Sequence, residues 1–415
     1  MNQKDLFKLA LGLEDPWMVR EVRFSPEEGR LDIRLDFKRG ATFPCPSCGE
    51  GGKKAYDTCE RTWRHLNFFE HLTFLHARLP RVECATCGIK TAEVPWARPG
   101  SGFTLLFEAY LLLLASEMPV SAISRLTGEH DTRIWRVVEH WVERARSGLD
   151  LSSLTEVGLD ETSSSRGHRY VTVFLDLDPQ GRSVVYACPG KDAETISSFS
   201  GELEERGGNP SSVKRFCCDM SPAYLAGIRE NFPEAEMVYD RFHLKQAVSR
   251  AVDEVRRAEG KERKELRGTR YLWLKRPENL KERQRLELEA LLSSGLKTAK
   301  AYQLSRAFDS FFEVEEELAE EYLYRWFWRA THSRLEPMRR AAHTIRNHWE
   351  GVLAWHRHKV STGVLEAING LIQAAKRRAR GYRNVRYLIT MIYLIAGKLD
   401  FEGLPLPVLC VTHRK

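Results

Sequence analysis

Two Cys-x-x-Cys segments constrain the amino-terminal part of the chain more strongly than any other feature of the sequence. They read CPSCG and CATCG, and each ends in a glycine. Two thiolates that are two residues apart can both turn inward on a tight turn, and four of them complete a tetrahedral zinc shell. The pattern therefore predicts one closed, structural zinc site. Its ligands are Cys45, Cys48, Cys84 and Cys87.

The alternative is two unrelated pairs of reduced cysteines. The long separation between the two pairs is compatible with this alternative. Residues 49–83 are longer than the usual loop of a zinc ribbon, so we expect short strands to be inserted there. Cys59 lies within this segment and has no neighbouring partner. Before it, residues 17–39 alternate apolar and polar side chains around the turn SPEEG, which predicts a β-hairpin.

Composition excludes several classes of protein. The chain has 415 residues, of which 29% are charged and 42% apolar, which is typical of a globular protein with two or three domains. The amino terminus has no signal-peptide pattern, and the longest strongly apolar run, AYLLLLA, is far too short to span a membrane. Nine cysteines in such a chain favour a metal site or reduced thiols over disulfides. We therefore expect no membrane partner and a cytoplasmic location.

The formal net charge is only +7, from 64 lysines and arginines against 57 acids, but the excess is concentrated in the last third of the chain. A local basic stripe suits a polyanion. The alternative is a solvated charged face. The candidate contacts to a phosphate backbone on the late helix and the loop after it are Lys376, Arg377, Arg378, Arg380 and Arg383.

Three helices are predicted within residues 103–147. The second is short, begins near Pro119 and ends at Gly128, and the third carries Arg133 and Arg136 in its first turns. These are the proportions of a helix-turn-helix, in which the two arginines would contact DNA. Packing of three helices without DNA is the alternative.

From residue 155 the pattern changes to strands. Three strand-like segments, EVGLDETSS, RYVTVFLDLD and RSVVYACPG, precede an alternation of helix and strand that ends at AEMVYD. This is the order of the ribonuclease-H fold. Residues 246–350 are helical, highly charged and too long for a connection, so we expect an inserted helical subdomain. Its aromatic run YLYRWFWRA is expected in the core, with a base-stacking surface as the alternative.

Three acids could meet in such a domain. Asp160 lies in the first strand, and Asp219 ends the strand VKRFCC, which neighbours it in a sheet of this order. Glu366, on the late helix, could pack across the same sheet. Converging carboxylates repel each other unless cations bind, and hard oxygen ligands suit Mg²⁺ or Mn²⁺. Two such ions can activate a water or a 3′-hydroxyl and stabilise the leaving oxygen of a phosphodiester.

Each acid has a competitor. Glu161 neighbours Asp160, but adjacent side chains on a strand point to opposite faces, so only one can face the site. Asp240 also ends a strand, and its candidate partners are Arg241 and His243. Glu350 is the alternative to Glu366. Gln373 lies near the same helix face as Glu366 and is a candidate for contact with substrate.

The chain resembles bacterial insertion-sequence transposases of the ISL-three family over nearly its whole length. The matching motifs are CPSC…CATCG, VGLDETSSSRGHRYVTVFLDLD, FCCDMSPAYLAGIRENFPEAEMVYDRFHLKQ and STGVLEAINGLIQAAKRRARGYRN. The resemblance implies a multidomain α/β chain. Its parts are a zinc-binding domain (1–98), a helix-turn-helix (99–150), a ribonuclease-H-like DDE catalytic domain (151–245 and 351–400) and a helical insertion (246–350).

By the same resemblance the catalytic acids are Asp160, Asp219 and Glu366, and the four cysteines are zinc ligands. The expected function is binding of terminal inverted repeats, with Mg²⁺-dependent cleavage and strand transfer by a dimer or larger assembly on DNA, in association with the nucleoid. Two alternatives stay open: a regulator that binds DNA without catalysis, and another nuclease of ribonuclease-H fold. Only a transposase would form a strand-joined product.

Overall fold

The computed structural model describes residues 2–165, 167, 169–358 and 363–405. It divides into two compact units. The first comprises Met1–Ser147 and the chain from Leu399 onward, and the second is Gly148–Lys398. Within the described ranges, no helix combines the length and the apolar character that a membrane crossing requires.

The first unit begins with one short helix and a six-stranded sheet. The elements are α1 (Gln3–Ala10), β1 (Trp17–Ser25), β2 (Arg30–Phe37), β3 (Thr42–Phe43), β4 (Lys53–Phe68), β5 (His71–Cys84) and β6 (Gly88–Thr91). The strand order is β1-β2-β5-β4-β3, and β6 pairs with β5. The expected hairpin is confirmed, because β1 and β2 pair antiparallel.

The strands inserted between the two cysteine pairs are long, so the expectation of short strands was wrong. β4 and β5 have 16 and 14 residues and pair antiparallel over almost their whole length. Alternate side chains of β5, including Leu75, Ala77 and Leu79, are buried against Trp63 and the other core residues of this unit. A hairpin of this length has its own apolar face, so it forms the centre of the sheet.

The predicted three helices are present as α2 (Leu105–Glu117), α3 (Val120–Thr127) and α4 (Asp131–Ser147). A fully buried carboxylate connects them to the preceding segment. Glu108 on α2 accepts hydrogen bonds from Arg98 Nε at 2.9 Å, Ser101 Oγ at 2.5 Å and Trp141 Nε1 at 2.7 Å. These three donors offset the cost of burying the charge of Glu108. The bond from Trp141 also holds α4 against α2.

The sheet and the three helices of the first unit also share a buried arginine. Arg64 of β4 is 3% exposed, and its Nη1 donates to the carbonyl oxygen of Thr73 at 3.1 Å. Its guanidinium lies 5.0 Å from the centre of the Phe107 ring, and its Nε lies 3.8 Å from Glu129 Oε1. Strand and helices therefore pack as one body within this unit.

The second unit contains a five-stranded sheet. The strands are β7 (Glu156–Ser165), β8 (Arg169–Asp176), β9 (Val184–Pro189), β10 (Arg215–Cys218) and β11 (Glu236–Tyr239). Their order is β11-β10-β7-β8-β9. β7, β8 and β9 pair antiparallel, and β10 and β11 are parallel to β7. Three antiparallel strands followed by an alternation of helix and strand were expected, and this order is confirmed.

Helices surround this sheet and form the rest of the unit. They are α5 (Ala193–Glu205), α6 (Pro222–Asn231), α7 (Arg241–Glu259), α8 (Arg270–Leu274), α9 (Glu282–Leu292), α10 (Lys297–Phe311), α11 (Glu316–Thr331), α12 (Glu336–Asn347), α13 (Trp349–His358), α14 (Gly363–Ala379) and α15 (Val385–Ala396). One face of the sheet packs against α5, where the rings of Phe174 and Phe199 stack at 4.4 Å.

The aromatic run of α11 is only partly in the core. Trp326 is buried and donates from Nε1 to the carbonyl oxygen of Leu304 at 2.8 Å, as expected. Tyr324 and Trp328, however, are 58% and 55% exposed. The run is continuous in sequence, but successive residues of a helix point in different directions, so only one side of it can face the core.

We predict that Gly351→Ala destabilises the second unit. This glycine lets α13 approach β11 closely, since a Cβ here would lie 2.6 Å from Tyr239 Cδ2 and 2.9 Å from the carbonyl oxygen of Met237. Overpacking of this kind costs about 1–3 kcal/mol. Gly201→Ala in α5 is the matched control, because a Cβ there meets nothing within 4 Å, and it should stabilise by up to about 1 kcal/mol. Urea unfolding measures both. Equal stabilities of the two variants would contradict the close approach.

Candidate active site and metal centre

The four cysteines of the two Cys-x-x-Cys segments converge. Their Sγ atoms all lie within 4.8 Å of one another, and Cys48 Sγ lies 3.7 Å from Cys84 Sγ. A tetrahedral site with a zinc–sulfur distance of about 2.3 Å has sulfur atoms about 3.8 Å apart. The donor set and its spacing therefore fit zinc, with Cys45 and Cys87 as the other two ligands, and leave no position for a substrate.

The backbone sets the conformation of the two turns that carry the cysteines. Gly49 and Gly88 follow the two segments with φ of 77° and 71°, so each turn needs a conformation that suits glycine. Hydrogen bonds from the backbone N–H groups of Cys48 and Ser47 lower the pKa of Cys45 to about 7. A lower pKa favours the thiolate of Cys45, which is the form that binds zinc. Hydrogen bonds with neighbouring thiols of the cluster raise the pKa of Cys48 and of Cys87. Cys59 is not part of the cluster.

The two arginines predicted at the start of α4 differ in their surroundings. Arg136 is exposed. Arg133 is paired with Glu129, and its guanidinium lies 4.2 Å from the centre of the Phe103 ring. Arg133 would have to give up an ion pair to bind a phosphate, whereas Arg136 would not.

In the second unit, strand register aligns three aspartates. Cys217 of β10 pairs with Gly158 of β7, so Asp219 and Asp160 each lie two residues beyond a paired position. Cys218 pairs with Tyr239 of β11, and the next residues are Asp219 and Asp240. Neighbouring strands are about 4.8 Å apart. The three carboxylates therefore occupy the same level of three adjacent parallel strands.

Helix α14 packs against β7, and side chains on one face of the helix form hydrogen bonds with the strand. Asn369 donates to Asp160 Oδ2, and Gln373 Nε2 donates to Thr162 Oγ1 at 2.8 Å. One turn later, Lys376 Nζ donates to the carbonyl oxygen of Ser163. Spacings of four and three residues place these donors on one side of the helix. Gln373, a candidate for contact with substrate, joins the helix to the strand through this bond.

Glu366 lies in the first turn of α14, three residues before Asn369, and therefore on the face that meets β7. Its side chain is exposed. The close approach of this turn depends on Gly158, because a Cβ there would lie 3.0 Å from Leu365 Cδ2. Helix docking thus brings the first turn of α14, which carries Glu366, close to β7 at Gly158, and the charge of Glu366 acts on Asp240.

The acids share one electrostatic environment. Burial raises the pKa of Asp160, and the negative charge of Asp219 raises it further. Burial also raises the pKa of Asp240, and the charges of Asp160 and Glu366 contribute in the same direction. The positive form of His243 opposes both shifts. A divalent cation at this place would relieve the repulsion.

These carboxylates do not converge on a single point. Among the described residues, the four cysteines are the one group of three or more potential ligands whose donor atoms all lie within 4.8 Å. As a set, the donor atoms of Asp160, Asp219 and Glu366 are therefore farther apart than those of the four thiols.

The competing acids take other positions. Glu161 is on the opposite face of β7, where its partner Thr172 contacts the hydroxyl of Tyr224 at 2.9 Å. Burial raises the pKa of Glu161, and the charges of Asp219 and Asp160 raise it further, so this acid remains within the electrostatic reach of the cluster. Asp240 caps α7 by accepting from the N–H of Phe242 at 2.7 Å, and its Oδ2 lies 4.0 Å from His243 Nε2. Asp240 thus pairs with His243, one of the two partners expected for it.

Glu350 lies in the first turn of α13, not on the helix that docks on β7. Asn369 and Thr162 were missed as site residues. The spacing Glu-x-x-Asn on one helix was the available signal, because residues three apart share a helix face.

The predicted cations of the late helix also fall into two groups. Lys376 is half-buried, burial lowers its pKa, and it is engaged with β7. The others are exposed at the end of α14 and in the loop before α15: Arg377, Arg378, Arg380 and Arg383.

Comparison with protein families identifies all three parts of the chain. Residues 41–87 match the zinc finger of the transposases of IS204, IS1001, IS1096 and IS1165, and residues 92–142 match the helix-turn-helix domain of transposase family ISL3. Residues 157–392, more than half of the chain, match the DDE transposase model of the same family. The chain belongs to the ISL3 family of transposases. Membership implies an enzyme that cleaves and transfers DNA strands.

Curated relatives support this assignment over the whole length. The chain is 29% identical to the transposase for insertion sequence element IS1557 of Mycobacterium tuberculosis, over 96% of both chains. It is 30% identical to the transposase for insertion sequence element IS1001 of Bordetella parapertussis, over 92% of this chain and 96% of that one. Among solved structures, a chain of the simian T-cell lymphotropic virus intasome in complex with PP2A regulatory subunit B56 gamma matches 31% of this chain and 51% of its own length, at 18% identity and a TM-score of 0.18.

We predict that the purified ISL3 chain contains one zinc ion, because its four thiols form one tetrahedral set. Cys84→Ser should lose the metal and lower the unfolding temperature of the first unit, since binding free energy contributes to folding. Cys59→Ser, outside the cluster, is the matched control and should retain both. Elemental analysis and thermal unfolding measure the two effects. A zinc content that is unchanged in Cys84→Ser would contradict the assignment.

Proposed function

We propose that this ISL3 transposase cleaves and joins DNA strands with Asp160, Asp219 and Glu366 as catalytic acids. The observation that carries the proposal is the docking of α14 on β7. It sets Glu366 on the face that meets the strand of Asp160, while the parallel register sets Asp219 beside Asp160. Asp240 and His243, next to this trio, are positioning residues in the proposal.

The three carboxylates would hold two Mg²⁺ or Mn²⁺ ions, which suit hard oxygen ligands. Such a pair activates a water or a 3′-hydroxyl and stabilises the leaving oxygen of the phosphodiester. In the protein, Asn369 and the backbone N–H of Glu161 hold the two oxygens of Asp160. Water is the first nucleophile in this scheme and the freed 3′-hydroxyl is the second. No covalent link between protein and DNA is required.

The architecture proposed for this activity is a ribonuclease-H-like DDE domain formed by residues 151–245 and 351–400, with 246–350 as a helical insertion. Support comes from the strand order β11-β10-β7-β8-β9 with its mixed antiparallel and parallel pairing. Helix α7 continues through residue 245, so the insertion would begin within a helix. Residues 1–98 and 99–150 would be the zinc-binding and helix-turn-helix domains, which share a core through Arg64.

We infer that these two domains bind the terminal inverted repeats. Arg136 is the better of the two candidates on α4, because Arg133 is held by Glu129 and Phe103. On the second unit, the exposed arginines at the end of α14 and in the loop after it would contact the phosphate backbone, and Lys376 would fix the helix to β7. Since recombination joins two ends, the active form would be a dimer or larger assembly on DNA in the bacterial cytoplasm, at the nucleoid.

The decisive experiment is a cleavage and strand-transfer assay on a duplex with one terminal repeat in Mg²⁺. Glu366→Gln, Asp160→Asn and Asp219→Asn each remove a metal ligand, which is worth several kcal/mol of transition-state stabilisation, so the rate should fall on the order of 10³-fold. Glu350→Gln, an exposed acid at the start of α13, is the matched control and should keep wild-type activity.

Different outcomes identify the competing functions. A wild-type protein that binds the duplex but forms no product in Mg²⁺ or Mn²⁺ would be a DNA-binding regulator. Cleavage without any strand-joined product would indicate a nuclease. Equal losses in Glu366→Gln and Glu350→Gln would contradict the assignment of the third acid.

A further inference from the structure

An open groove of about 650 Å³ lies beside the proposed active site, at the end of the sheet where β7 finishes. One wall is formed by the end of β7, the start of β8 and the end of β9. The other is formed by the loop between α14 and α15. The side chains that matter for its chemistry are Ser164, Arg169, Tyr170, Tyr382, Arg383 and Asn384.

The groove offers cations and hydroxyl groups and no acid. Arg169 and Arg383 are exposed on its two walls, and none of the described residues that line it carries a carboxylate. A third cation lies close by, since Lys191 Nζ is 4.1 Å from the centre of the Tyr170 ring. Guanidinium groups with flanking hydroxyls are suited to phosphate oxygens, which accept several hydrogen bonds at once.

The groove lies at the far end of the strand that carries Asp160. Asp160 and Thr162 share one face of β7, and α14 covers this face, because Gln373 Nε2 donates to Thr162 Oγ1. The pairing of β7 with β8 shifts register between Ser163 and Ser165, where β7 reaches the groove. Four residues of strand cover about 13 Å, and phosphates rise about 3.4 Å per nucleotide along one strand of a duplex, so this distance corresponds to about four nucleotides. A DNA strand with its scissile phosphate at Asp160 would pass beside α14 and reach the groove after at least that length.

We propose that this groove binds the backbone of one DNA strand at least about four nucleotides from the scissile phosphate, with Arg169 and Arg383 as the phosphate ligands. The proposal rests on the proposed function, because the position of the scissile phosphate is set by the catalytic acids. Arg169, on the strand that pairs with β7, would thus bind DNA. Arg383 would bind DNA within the groove, whereas the arginines at the end of α14 lie outside the residues that line it. An acidic protein segment is the competing occupant.

The test measures binding in Ca²⁺ and cleavage in Mg²⁺ on duplexes with one terminal repeat. Each duplex carries a single neutral methylphosphonate linkage, at one of positions two to six on either side of the cleavage site. Arg169→Ala and Arg383→Ala are compared with wild type and with Arg283→Ala, an exposed arginine of α9 outside the groove. All three positions are exposed on the surface, and thermal unfolding checks that each variant is folded.

We expect each groove variant to bind more weakly and to lower the slope of log K against log salt by about 0.9, the value for one lost phosphate contact. Arg283→Ala should keep the wild-type slope. Neutral linkages about four or more nucleotides away, on one side only, should weaken binding by wild type but not by Arg169→Ala. The side that responds distinguishes the element's own end from the flanking DNA.

Unchanged salt slopes in both groove variants, or the same sensitivity to neutral linkages in wild type and variants, would overturn the groove as a DNA site and leave the acidic segment as its occupant. Failure of the proposed function looks different. In that case wild type forms no product on the unmodified duplex in Mg²⁺, while the binding arm in Ca²⁺ still decides whether the groove contacts DNA.

Discussion

The contact between α14 and β7 determines what the second unit can do. Without it, Asp160 is one acid on a buried strand and Glu366 is one acid on a surface helix. Asn369, Gln373 and Lys376 convert the two elements into one surface, because their donors meet successive acceptors along the strand. Each net hydrogen bond contributes only about 1 kcal/mol, but together with the close approach at Gly158 they define the register of helix and strand.

The same arrangement has an electrostatic cost. Asp160, Asp219 and Asp240 occupy one level of three adjacent strands, and burial together with mutual repulsion raises the pKa of Asp160 and of Asp240. Such a cluster of like charges destabilises the folded protein, and clusters of this kind are typical of sites that bind a cation or carry out a reaction. The cluster of thiols in the first unit differs from these carboxylates, because its four sulfur atoms are close enough together to bind a single tetrahedral ion.

The sequence predicted the parts that depend on short-range pattern. Cys-x-x-Cys turns, alternating strands and apolar helices with a proline before them and a glycine after them each carry a local signal, and those elements were confirmed. The length of β4 and β5 was not predicted, because a long hairpin and several short strands have the same alternation. The exposure of Tyr324 and Trp328 was missed because composition does not show which side of a helix faces the core.

Contacts between distant residues were the least predictable. Asn369 and Thr162 have no feature in the sequence that marks them, and their importance follows only from the contact between α14 and β7. The pairing of Arg133 with Glu129 follows from the helix spacing, but it competes with a role of Arg133 in DNA binding.

We propose above all that Asp160, Asp219 and Glu366 form one site for a pair of ions. Anomalous diffraction from crystals of the chain in Mn²⁺ tests it most directly. Two peaks bridged by Asp160, with Asp219 on one and Glu366 on the other, are predicted; Mn²⁺ held by Asp240 or Glu161 without Glu366, or no bound Mn²⁺, would contradict it.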